Sequence, residues 1–197
     1  MPVLTWTGTD DWRAEQAAVQ LEEGRFSARG VQLGVLPLPY RLDYVLETGP
    51  NWRTRTLELA AAGDGWQRTL HLARAEDGGW TAEATGAGVV DLPAPGGGTA
   101  ALEEAMDCDL GLSPLTNTMP ILRHRLHLTG GVVESTMAWV SVPDLGVHAS
   151  RQRYEHLRRV PGGALVRFSS GEFSADLTVD AAGFVVDYPQ LGRRVIS

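Results

Sequence analysis

Lysine is missing altogether from this chain of 197 residues: its 17 basic residues are all arginine, set against 24 acidic ones, for a net charge of −7. The all-arginine choice reads as codon bias more than function, although arginine alone offers planar bidentate pairing to carboxylate or phosphate. The acidic balance argues against a nucleic-acid partner, which requires a clustered basic face. Cysteine is nearly absent, and Cys108 by itself can form neither an intramolecular disulfide nor a thiolate metal cluster. No run approaches the ~20 apolar residues that a membrane-spanning helix needs. Met1 to Trp6 passes straight into polar sequence without a basic leader or a cleavage site, so a cytoplasmic protein is expected. Motifs of familiar chemistry are missing too. The five histidines include no His-x-His pair and no i, i+4 pair, which speaks against zinc. No Gly-x-Ser-x-Gly elbow occurs, and Gly96-Gly97-Gly98 is not followed by the Lys-Ser/Thr of a phosphate loop. No metal and no cofactor are expected.

What is present is alternation. Hydrophobic residues at 43% and charged residues at 21% are ordinary for a globular protein, and the length suits a single domain over residues 1–197. Tyr40, Leu42, Tyr44 and Leu46 alternate with Arg41, Asp43, Val45 and Glu47, the period-2 signature of a half-buried strand. Similar runs cover 16–21, 25–33, 52–60, 66–73, 79–84, 122–129, 135–142, 150–157, 164–169, 173–179 and 184–186. About eleven short strands at ~10-residue spacing predict a mainly β fold, a strongly curved antiparallel sheet forming an open barrel or sandwich. One short helix is expected at 100–106, capped by Thr99, after the Pro/Gly-rich linker 91–99.

The segment Asp107–Pro120, DCDLGLSPLTNTMP, reads as too irregular for a helix or a central strand. Asp107 and Asp109 share a face of extended chain and could ligate a metal or act as an acid–base pair. The structural alternative, bonds to backbone amides or to an arginine, is preferred for them, and Thr116, Asn117 and Thr118 are assigned to fixing a turn. The whole segment is expected to brace helix against sheet. His124 and His127 fall on opposite faces of the run 122–129 and read as surface or rim residues. Cys108 reads as a small buried hydrophobe. Of six tryptophans, one or two are assigned to a binding surface and the rest to the core.

The blocks Asp107-x-Asp109 and Pro114-x-Thr116-Asn117-Thr118-x-Pro120 resemble the signature of the bacterial putative glycolipid-binding family, formerly a domain of unknown function. Trp139, Val142-Pro143-Asp144-Leu145, Gln152-Arg153-Tyr154, Val186-Asp187-Tyr188-Pro189 and Arg193-Arg194-Val195 extend the likeness over most of the chain. Two departures stand out. The cysteine is displaced to Cys108, and Leu122 stands where one of two consecutive arginines is expected, leaving Arg123 and Arg125. The resemblance implies a monomer whose curved sheet wraps an apolar interior, similar to carriers of lipoproteins and acylated glycolipids. The function expected on that basis is a non-enzymatic lipid or glycolipid binder that holds acyl chains in an apolar cavity. Arg53, Arg55, Arg193 and Arg194 are candidates for anionic head-group contacts, with pairing to Asp107, Asp109 or Asp187 the slightly preferred alternative, and Trp52 and Tyr188 are further ligand-contact candidates. Two rival readings remain: a hydrolase of a glycolipid or sugar ester using Asp107 or Asp109 as general base, and an interaction protein with a filled core.

Overall fold

A computed structural model describes residues 1–195. Seven strands precede the linker: β1 (Val3–Thr7), β2 (Arg13–Glu22), β3 (Arg25–Gly34), β4 (Tyr40–Thr48), β5 (Thr54–Gly63), β6 (Trp66–Arg74) and β7 (Trp80–Gly88). Seven follow it: β8 (Asp107–Leu110), β9 (Val132–Val140), β10 (Val147–Val160), β11 (Gly163–Ser170), β12 (Phe173–Asp180), β13 (Val185–Tyr188) and β14 (Gly192–Arg194). All belong to one curled, unclosed sheet that runs from β7 back to β1, across to β14, and back to β8. Every neighbouring pair is antiparallel except β8 and β9, which are parallel. The mainly β, strongly curved sheet expected from the alternation is therefore the observed fold.

The alternation sets which face is buried. Leu42, Leu46, Leu57, Leu70 and Leu72 are each no more than 1% exposed, and they close one core inside β1–β7. A second core lies inside β9–β13 around Met137, Tyr154, Val166, Phe168 and Leu177. Between the two stands a partition made of β8 and β9. Cys108, Leu110, Ala138 and Val140 point into the first core, while Met137 on the opposite face enters the second. The linker is held down by the buried Arg68, whose guanidinium donates to the carbonyls of Leu92, Pro93 and Asp144.

Three expectations are corrected here. Residues 100–106 form no α-helix; only Ala100–Leu102 winds into a 3₁₀ turn. The helix, α1, is Thr118–Arg123, so the run 122–129 is not a strand. Five of its six residues are buried, which leaves no polar face to betray it, and Pro120 sits in the first turn, where its missing N–H is no loss. Asp107–Pro120, expected to be too irregular for a helix or a central strand, opens with the edge strand β8 and, against that expectation, runs into α1 at Thr118. With α1 relocated, His124 is exposed on the turn after the helix and His127 is buried, so the surface reading fails for His127.

Candidate functional site

The second half of the sheet does not close fully on the partition, and a cavity of about 900 Å³ opens between them. That size falls inside the roughly 300–1,000 Å³ of small-ligand sites. Its floor comes from β8 and the chain after it, through Asp109, Ser113 and Asn117, and from Gln152 on β10; aromatic rings of Trp139, His148, Phe168, Phe173 and Tyr188 line the walls. Two other depressions lie elsewhere: one of about 460 Å³ beside Glu134, Arg151 and Arg153 has no aromatic wall, and one of about 920 Å³ over Arg29, Glu58, His71 and Glu83 is lined chiefly by exposed side chains. Of these three, the first joins buried polar groups to aromatic walls.

The hydrogen bonds at the floor leave an excess of acceptors. Asp109 takes a bond from Thr116 Oγ1 at 2.8 Å on one oxygen and from Gln152 Nε2 at 2.7 Å on the other. Burial pushes its carboxyl up from the usual range, against the pull of those two donors. The Tyr154 hydroxyl lies 3.0 Å from Asn117 Oδ1 and 3.0 Å from Gln152 Oε1, but it has a single proton for two carbonyl oxygens. One of those acceptors is always left wanting a donor. The Tyr188 hydroxyl has no hydrogen-bond partner among the described residues, and burial together with the nearby Asp109 charge raises its pKa, keeping it neutral.

Asp107 has a different part. It is fully buried, and Arg123 grips it in a fork, Nη1 to Oδ2 at 2.6 Å and Nη2 to Oδ1 at 2.5 Å. A carboxylate so occupied cannot reach a substrate, so of the two aspartates only Asp109 meets the cavity. Thr118 is fully buried in α1, and Thr116 braces Asp109. Cys108 is buried against Thr54, and its thiol pKa is pushed up, which leaves it no nucleophilic character at neutral pH.

The structure brings Tyr188 to the same cavity as Asp109 and Asn117, and sets the other candidates elsewhere. Trp52 packs half-buried on the first core, with Arg53 and Arg55 exposed beside it at the start of β5. Arg193 pairs with Asp187 and Arg194 with Asp180. None of these lines the cavity. Gln152, Trp139, His148, Phe168 and Phe173 were not singled out as site residues. The usable signal was Gln152, a polar residue at an inward position of β10, two before the buried Tyr154. Among the described residues no three His, Cys, Asp or Glu side chains gather as a metal site, and no helix is long and apolar enough to cross a membrane.

The family model described as "Putative glycolipid-binding" matches residues 3–194. The chain belongs to this family. A crystal structure of a DUF1089 family protein from Pseudomonas aeruginosa superposes with a TM-score of 0.69 at 27% identity, covering 96% of this chain and 94% of that one. No curated protein matches. Within the glycolipid-binding family's Asp-x-Asp block as it stands here, the first aspartate holds α1 through Arg123 and the second opens on the cavity.

Proposed function

We propose that the cavity binds the sugar head of a glycolipid, seated on the floor of Asp109, Asn117 and Gln152. The surplus of acceptors there carries the reading. Sugar hydroxyls are donors, and a buried carboxylate beside an under-supplied pair of amide oxygens rewards donors and repels anions. Trp139, Phe173 and Tyr188 add flat apolar faces for the C–H side of a sugar ring. An anionic head held by the four arginines fits less well, because Arg193 and Arg194 are already paired and all four lie outside the cavity. The interior also differs from a purely apolar hollow: inside β1–β7 the space is filled by leucines, and the open space carries a polar floor.

Isothermal titration with a neutral alkyl glycoside tests this. Asp109→Asn is expected to weaken binding by roughly 10- to 100-fold, the worth of a hydrogen bond to a charged group, and Tyr188→Phe by a smaller factor. An alkyl sulfate of equal chain length should not compete. Unchanged affinity in both variants, each shown to melt as the parent does, would remove the assignment.

A further inference from the structure

The cavity has a neighbour that shares two of its lining residues. Leu112 and Val142 line it and also line a second opening of about 490 Å³, whose other walls include Trp12, Val35, Leu36 and Pro37. Three of these are large apolar side chains left in water: Trp12 is 63% exposed, Leu36 54% and Val35 40%. They come from two separate loops, the one before β2 and the one between β3 and β4, that meet beside the same opening. Leu112, at the junction, has φ +61°, a left-handed conformation that a leucine adopts only at a cost. Leu112 is half-buried, and its side chain belongs to the lining of both openings.

Resting on the reading of the cavity as a sugar site, we propose that this groove is the tail subsite: the hydrocarbon chain of the same glycolipid leaves the cavity past Leu112 and Val142 and lies against Trp12, Val35 and Leu36. A ligand with a hydroxyl-rich head and an aliphatic tail matches the order of chemistry along this path, acceptors at the floor, then aromatic walls, then exposed aliphatic and indole surface. The groove is not a docking face for an anionic membrane, because Asp10 and Asp11 directly precede Trp12 and the chain carries a net charge of −7.

The test compares methyl, butyl, hexyl and octyl glucosides below their critical micelle concentrations, by titration calorimetry, on the parent and on Trp12→Ser and Leu36→Ser. Both variants change exposed loop side chains, so the fold should tolerate them, and a thermal melt checks that. In the parent, affinity should climb by up to about fourfold for each added methylene, the worth of burying one CH₂ group. In the variants the climb should flatten while methyl glucoside binds as before. If methyl glucoside binds but affinity is indifferent to chain length, or the variants keep the parent's climb, the tail subsite is wrong and the sugar site stands. If no glucoside binds, both readings fall. A vesicle sedimentation arm with uncharged phosphatidylcholine covers the remaining case: binding of the ligand-free protein that Leu36→Ser abolishes, with the chain-length climb intact, would make the groove a membrane face and overturn the proposal.

Discussion

Replacing Arg123 by alanine is expected to cost the fold about 3–5 kcal/mol, read as a drop in the denaturant midpoint at constant slope. The reason lies in Asp107. Its carboxylate is wholly buried, and the fork from Arg123 supplies the charge that makes burial tolerable. Burial pushes its pKa up and the guanidinium pulls the other way, so losing the partner leaves an uncompensated charge in a dry place. Arg123 also donates from Nε to the carbonyl of Asn51, at 2.8 Å, which ties α1 to the turn before β5. Arg193→Ala is the control. That pair with Asp187 is exposed on the arginine side and should be worth about 0–1 kcal/mol. Equal losses in the two variants would show that Arg123 is not the brace described here.

The second expectation concerns pH. Glu15 is 3% exposed; Tyr44 and Ser113 donate to its Oε1 at 2.6 and 2.7 Å, and its Oε2 has no partner. Its cross-strand neighbour Gln32 likewise keeps a buried Oε1 without a donor. A proton on Glu15 removes a buried charge whose Oε2 has no donor, and burial raises its pKa from 4.5 to about 7. Tyr44 reaches it because Gly30 lies beneath the ring, where a Cβ would stand 2.3 Å from Tyr44 Cζ. Since the folded state holds this proton more tightly than the unfolded chain does, Glu15 costs nothing below pH 4.5. Stability then falls as pH rises from there through about 7, by roughly 3 kcal/mol, and levels off above. Glu15→Gln should flatten most of that slope in denaturation midpoints taken between pH 5 and 8. Asp109, also raised, leaves a residual slope of the same sign. A variant that keeps the full slope would place the titration elsewhere.

Much of this architecture is written locally. Tyr40–Glu47 alternates, and β4 is where the alternation put it; the same holds for most of the meander, because a half-buried strand must expose every second residue. The partition was not legible. β8 is only four residues long and pairs in parallel with a strand more than twenty residues away, and α1 is buried on nearly all sides. The site failed to announce itself for a related reason. Asp109 and Asn117 stood in a recognised block, but the cavity exists only because Gln152, 43 residues beyond Asp109, and Tyr188 arrive from other strands. Charge is visible in a sequence and its partner only in part: Asp187 is among the acids expected to pair with the arginines and does hold Arg193, whereas Asp180, which holds Arg194, enters only through the turn that brings β12, β13 and β14 together.

The order of strands across the sheet has a consequence for how the chain finds its shape. Read from β9 through β14 and on through β1 to β7, the sheet is an up-and-down ribbon in which each strand lies beside its successor, with β8 added in parallel at one rim. The gene enters that ribbon in the middle, so its antiparallel neighbours within each half can zip up from nearby pieces with small loops to close. The demanding act is stitching the first strand to the last, where Trp6 meets Arg194 in register and sends its indole N–H to the carbonyl of Val185. A protein otherwise assembled from neighbours thus keeps one distant handshake, and it falls at the waist rather than at the rim.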